Sequence, residues 1–222
     1  MEEIRIKIPG TDDYSVSEAI KVTRTNIQFC GQDIKTIVFT SCDENEGKTT
    51  ISLHIAKSFA ELGKNVLFVD ADMRKSVIAG RNTDVTNGEG LSEVLIGMKS
   101  LADCIYRTDI PGLHILLAGK YPPNPVELLN GKYFSSLLTE AKKVFDYIII
   151  DSPPLGRVID AAIIASKCDG SVFVIGNKNI RRKQALEVLE QLKKCDCRVL
   201  GVIRNNVDEK GDRYAYKKKK VY

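Results

Sequence analysis

The stretch Thr40-Ser41-Cys42-Asp43-Glu44-Asn45-Glu46-Gly47-Lys48-Thr49-Thr50 holds the residue types a phosphate-binding loop needs, in the order it needs them. Gly47 lets backbone approach phosphate oxygens, Lys48 offers an ammonium to the β and γ phosphates, and Thr49 offers a hydroxyl to magnesium. The usual loop opens with a glycine where this one has Cys42, and a bare Gly-Lys-Thr is also common in surface turns, so the match is partial. Further acids strengthen it. In Asp70-Ala71-Asp72-Met73-Arg74 an extended backbone, with its period of two, puts both carboxylates on one side. Paired carboxylates beside a phosphate repel unless a cation or a shared proton lies between them. A capping aspartate in a turn is the plainer reading, but it leaves the second acid and Arg74 without a role. Asp151 closes the run Ile148-Ile149-Ile150. It is either an ordinary turn residue or the strand-terminal aspartate that holds magnesium near a phosphate loop.

These groups need strands that end together. Lys35 to Thr40 is a short, apolar, β-branched run suited to a buried strand, and Thr50 to Leu62 has helical spacing, so the loop sits between strand and helix. The helix start would present its amides and positive dipole end to the same anion. Val66–Val69, Leu113–Ala118, Phe145–Ile150, Gly170–Ile175 and Arg198–Ile203 read as further strands, with helices over Val126 to Lys143 and Arg181 to Lys193. Alternation of this kind predicts an α/β fold with a mostly parallel central sheet flanked by helices on both faces. Acids at strand ends then lie where such sheets put ligands. Residues 75 to 112 are loop-rich, with a short helix near Leu91 to Ile96. Residues 1 to 14 read as an extended lead-in rather than a packed element. Glu18 to Phe29 forms a helix with Glu18, Lys21 and Arg24 as a charged stripe, for which a solvated face is the commoner reading. Residues 1–207 form one domain and 208–222 a basic tail unable to fold alone. Tyr214, Tyr216 and Tyr222 lie in that tail, either as incidental residues of a solubilising segment or as groups that something contacts.

A chain of 222 residues with 43% hydrophobic and 28% charged residues is ordinary for a globular domain, and a net charge of +4 is too small to imply nucleic acid. No apolar run approaches the roughly 20 residues needed to cross a bilayer, and the first residues lack the pattern of a secretion signal, so a cytoplasmic location is expected. The six cysteines show no Cys-x-x-Cys spacing and are read as structural, the Cys195/Cys197 pair included. His54 and His114 are expected to pack in the core.

Taken together, the loop, the Asp70-x-Asp72-x-Arg74 ending, Ile148 to Pro153, the segment Pro122-Pro123-Asn124-Pro125-Val126-Glu127-Leu128-Leu129, the helix Glu18-x-x-Lys21-x-x-Arg24 and the terminal tyrosines resemble the bacterial tyrosine kinases that control capsule and exopolysaccharide export. The form resembled is the Firmicute one, in which kinase and membrane adaptor are separate chains. The resemblance covers nearly the whole sequence. It implies a nucleotide-binding fold with a deviant Walker A loop, ATP and Mg2+ as cofactors, and Glu46, Gly47, Lys48, Thr49 and Thr50 around the nucleotide. Lys48 would contact the phosphates, Thr49, Asp72 and Asp151 would hold magnesium, and Asp70 would act as base. Asn205 becomes a candidate for the adenine edge. Tyr214, Tyr216 and Tyr222 would be phosphorylated in trans, and Glu18, Lys21 and Arg24 would line a contact in a ring-like homo-oligomer. Implied partners are a membrane adaptor of the polysaccharide co-polymerase type, which would recruit the kinase to the inner face of the plasma membrane, and a phosphotyrosine phosphatase. The loop motifs also occur in partitioning and positioning ATPases, which give the rival expectation, and a nucleotide-binding regulator without turnover is a third. Two departures stand out: Glu44-Asn45 replaces the family's Pro-Gly, and Lys21 replaces an arginine that could make a bidentate fork.

Overall fold

The computed structural model describes residues 2–10, 14–86, 88–176 and 182–207. The apolar runs become strands: β1 (Glu3–Ile4), β2 (Thr36–Ser41), β3 (Val66–Asp70), β4 (Ile105–Thr108), β5 (Leu113–Leu116), β6 (Tyr147–Asp151), β7 (Gly170–Gly176) and β8 (Arg198–Asn205). They form one sheet in the order β1-β4-β5-β3-β6-β2-β7-β8. Among the described strand pairs only β4 with β5 is antiparallel, and the isolated Ile6–Thr83 bridge is antiparallel too. β2 and β3 are buried along their whole length, as central strands between two helical layers must be. The helices are α1 (Tyr14–Phe29), α2 (Lys48–Ala60), α3 (Leu91–Leu95), α4 (Leu101–Cys104), α5 (Pro125–Asn130), α6 (Lys132–Val144), α7 (Asp160–Ala165) and α8 (Arg182–Lys193).

Each face of the sheet has its own core. Phe39, Phe59, Phe68 and Ile115 belong to the one that includes α2, while Leu67, Phe134, Phe173 and Leu192 belong to the one that includes α6 and α8. The predicted α/β layering is therefore present. Register does the work of placing the site: Phe39 of β2 and Asp70 of β3 both stand beside Asp151 of β6, so the carboxyl ends of three central strands align.

Four elements differ from expectation. The lead-in is packed: Ile4, Ile6 and Ile8 are buried, β1 pairs with β4, and Ile6 bridges Thr83. Alternating isoleucines, not overall polarity, decide the fate of that segment. The long helix over Val126 to Lys143 is two helices broken at Gly131, whose ψ of 166° is extended. The Lys167 ammonium ties that break together by donating to the carbonyls of Leu129 (2.8 Å), Asn130 (2.9 Å) and Gly131 (3.1 Å). The loop-rich insert contributes α3 where the sequence put it, and also α4 and β4. Finally α7 fills the stretch before β7, where no helix was expected.

Both histidines are packed. His54 Nε2 lies 2.7 Å from the Pro9 carbonyl, and His114 meets Phe145 edge to face. The cysteines are free thiols, with Cys42, Cys104 and Cys197 buried.

Candidate active site

The loop after β2 is shaped by its own side chains. Gly47 adopts φ 84°, ψ 14° at the start of α2, a left-handed conformation that glycine takes without penalty. A Cβ there would also come within 2.0 Å of the Asn205 amide nitrogen. Asn45 holds φ 60°, and asparagine is among the few residues with a side chain that tolerate this region. Glu46 is buried, and both its carboxylate oxygens are engaged: one accepts from the Asp43 amide at 2.7 Å and the other from the Gly176 amide of β7 at 2.8 Å. Glu46 is thus a strut of the loop. Cys42 is wholly buried in the core, its thiol pushed up to about 12 by burial first and then by Glu46 and Asp43.

At the strand ends the acids converge. Lys48 Nζ lies 2.7 Å from Asp151 Oδ1, and the Thr49 hydroxyl donates to Asp151 Oδ2 at 2.6 Å. Asp70 is buried one strand away and accepts from the Ser76 hydroxyl at 2.5 Å and from the Asp72 amide at 3.2 Å. Asp72 in turn accepts from the Lys75 amide at 3.0 Å. Burial is the main force on Asp70, followed by the charge of Asp151, and together they push its carboxyl up to about 7. Burial also raises Asp72, against the pull of Lys48. β3 stops at Asp70, yet both acids line the cleft.

Among the described residues no group of three or more His, Cys, Asp or Glu forms a ready metal cage. The donor set fits Mg2+ all the same, because that ion is usually held by one or two carboxylates together with water and substrate phosphates. Crowding of Asp70 against Asp151 is the electrostatic strain a divalent cation would relieve. The cleft has a volume of about 270 Å³, lined by residues that include Glu46, Gly47, Lys48, Thr49, Thr50 and the three aspartates. That is just below the ~300–1,000 Å³ of whole small-molecule pockets, a size for phosphates rather than for an entire nucleotide.

Not every expected residue joins it. Asn205 stands behind Gly47, its amide donating to the Glu46 carbonyl at 2.9 Å, so it supports the loop and does not line the cleft. Glu18 and Lys21 pair with each other at 2.8 Å on exposed α1, whereas Arg24 turns inward to the Ser58 carbonyl and hydroxyl of α2 at 3.0 and 2.9 Å. The stripe is therefore split between solvent and α2. Tyr214, Tyr216 and Tyr222 lie outside the described residues.

Sequence reasoning missed the ion pairs that frame the cleft. Arg157 holds Asp43 bidentately, both contacts at 2.8 Å, and keeps that carboxyl below its usual range. Lys75 reaches Glu44 at 2.5 Å, and Arg74 forks onto buried Asp160 at 2.8 and 3.1 Å. The extra carboxylate that Glu44 brings to the loop is thus matched by a cation. None of these pairs has a local spacing that could have announced it.

A strand, a glycine-lysine-threonine loop and a helix, with lysine and threonine meeting a strand-terminal aspartate, define a P-loop nucleotide-binding protein. Residues 34–195 match the AAA domain family. The chain is 43% identical over 192 residues to a tyrosine-protein kinase of Streptococcus agalactiae, covering 86% of this chain and 84% of that one. Among solved structures it resembles the kinase domain of the Escherichia coli tyrosine kinase ETK, at a TM-score of 0.85 and 29% identity over 92% of this chain and 80% of the other. It also resembles the septum site-determining protein MinD of Pyrococcus horikoshii complexed with Mg-ADP, at a TM-score of 0.64 and 26% identity over 77% and 70%. The chain belongs to the bacterial tyrosine-protein kinase family of capsule and exopolysaccharide synthesis.

Proposed function

We propose that this protein transfers the γ-phosphoryl group of ATP to Tyr214, Tyr216 and Tyr222 of a neighbouring subunit, and that the state of this tail regulates polymerisation and export of a surface polysaccharide. The observation that carries the reading is Asp70: a buried carboxyl, pushed up to about 7, beside the Lys48–Asp151–Thr49 cluster. A tyrosine hydroxyl has a pKa of about 10, so transfer at neutral pH needs an acceptor for its proton, and a base is most effective when its pKa lies near the working pH. Asp70 takes that proton. Lys48 exchanges Asp151 for the β and γ phosphates, and the amides at the start of α2 bind the same oxygens. Thr49, Asp72 and Asp151 would hold Mg2+, which supplies charge neutralisation at the phosphates. Catalysis is then chiefly positioning and electrostatics.

From Asp208 the tail spans at most ~50 Å at about 3.3 to 3.6 Å per residue, enough to reach an adjacent subunit. Glu18 and Lys21, outward on α1, are the groups for a ring-like contact, with Arg24 fixing the helix that presents them. No described helix is long and apolar enough to cross a membrane, so the cytoplasmic kinase would reach the inner face of the plasma membrane through an adaptor. A phosphotyrosine phosphatase would reset the tail. The test is incubation with magnesium ATP, with and without the adaptor's cytoplasmic segment, followed by mass spectrometry of the tail. Phosphate on the tail tyrosines is expected, and its absence under both conditions overturns the kinase reading.

Similarity to the MinD structure favours one alternative, a positioning ATPase that transfers phosphate to water and uses the Lys217–Lys220 run at a lipid surface. Nucleotide-dependent flotation with liposomes, without phosphotyrosine, would favour it.

A further inference from the structure

Arg81 is the cleft residue to which none of this gives a role. It is exposed and lines the same cleft as Lys48, Thr49, Asp70 and Asp151. The cleft-lining cations among the described residues are Lys48, Lys75 and Arg81. Lys48 is held by Asp151 and Lys75 by Glu44. The Arg81 guanidinium makes no hydrogen bond or ion pair with any described residue.

Its backbone, in contrast, is fixed from both sides. The Gly80 amide donates to the Val85 carbonyl at 2.8 Å and the Asn82 amide to the Ile78 carbonyl at 2.9 Å. Asn82 also clamps the lead-in: its side-chain amide donates to the Lys7 carbonyl at 2.8 Å, and its own carbonyl accepts from the Lys7 amide at 2.7 Å. An unpartnered guanidinium on an anchored backbone, in a cleft built for phosphate, is an available anion ligand on a wall other than the loop's.

We propose that Arg81 binds the terminal phosphate of the nucleoside triphosphate. The inference rests on the nucleotide reading given above. Lys48 is a point charge shared between two phosphates, whereas a planar guanidinium can take two oxygens of the terminal group at once. During transfer the bond from the γ phosphorus to the bridging oxygen breaks, its electron pair staying on the diphosphate. The bond to the tyrosine oxygen forms, and the tyrosine proton passes to Asp70. Arg81 keeps all its protons throughout and stabilises charge on the oxygens that move.

The test is calorimetric titration of the full chain with magnesium ADP and with a magnesium complex of a non-hydrolysable ATP analogue, comparing the unaltered protein with Arg81→Ala and Arg81→Lys. A charge-assisted bond to one phosphate is worth roughly a tenfold or greater change in affinity. Arg81→Ala should weaken the triphosphate analogue by that factor and leave ADP unchanged, and Arg81→Lys should fall between. Equal weakening of both ligands, no weakening of either, or an unaltered protein that does not distinguish them overturns the assignment. Unmodified tail tyrosines with intact nucleotide discrimination would instead sink the kinase reading and leave Arg81's role standing.

Discussion

Asp70 is where the chemistry and the stability of this protein are set against each other. Its carboxyl is raised from 3.8 to about 7, so the folded state resists an ionisation the unfolded chain undergoes freely. The sign follows: the stability associated with this group is fully present below about pH 4, falls as pH rises, and is lost once pH passes about 7. Asp70→Asn removes the dependence. In metal-free protein the variant should gain stability over the parent as pH climbs from about 4 to 7 and then hold a constant advantage, on the order of a few kcal/mol by linkage. Urea unfolding at several pH values checks this, and an advantage that does not change with pH contradicts it. If Asp70 is the base as proposed, the same variant should also lose the proposed tail phosphorylation, because the amide cannot accept the tyrosine proton. At this scale the sequence was legible wherever a residue type has one chemical use in one context: Gly47, Lys48, Thr49 and the three aspartates meet as expected. Glu46 and Asn205 were legible only as neighbours of the nucleotide. Their bonds to Gly176 and to the loop itself depend on contacts 130 and 159 positions away in sequence, which no local pattern encodes.

Among the elements, the periodic and apolar ones could be read and the short or interrupted ones could not. β2, β3, β6 and β7 are continuous hydrophobic runs whose burial leaves no alternative fold class. β4 and α4 are a few residues each, and their state is settled by the neighbours they pack on rather than by propensity. The break between α5 and α6 had a visible cause, Asn130-Gly131, but its stability comes from elsewhere. Lys167 follows α7 and donates to the carbonyls of Leu129, Asn130 and Gly131, where α5 ends and α6 begins. Burial lowers its pKa, yet the positive charge also complements the dipole of that helix end. Lys167→Met keeps the length of the side chain and removes the donors, and should cost about 2 kcal/mol. Chemical denaturation measures this, and a variant as stable as the parent would show that water replaces the ammonium without loss. α5 carries the proline-rich segment's continuation, so the same change tests whether that segment must be held for the proposed tail phosphorylation.

On the scale of the whole molecule the lead-in belongs to the body of the protein. Ile4, Ile6 and Ile8 are buried, and the segment bonds to β4 and to the turn that carries Arg81. Deleting residues 2–9 removes those side chains and uncovers the core they pack on, and with about 1.5–3 kcal/mol per buried side chain the loss should be several kcal/mol. Thermal and urea unfolding of the shortened protein check it, and near-parent stability would mean that the turn and β4 hold their own geometry. The order of strands has a further consequence, for the time course of folding. β2, which launches the phosphate loop, is flanked by β6 and β7, and the Lys48–Asp151 bond joins groups 103 positions apart. A nascent chain leaving the ribosome therefore displays its phosphate loop long before it owns the strands that hold that loop in shape. Closure of so long a segment comes late and makes folding slow. A bound nucleotide can stabilise this protein only after most of it has been synthesised.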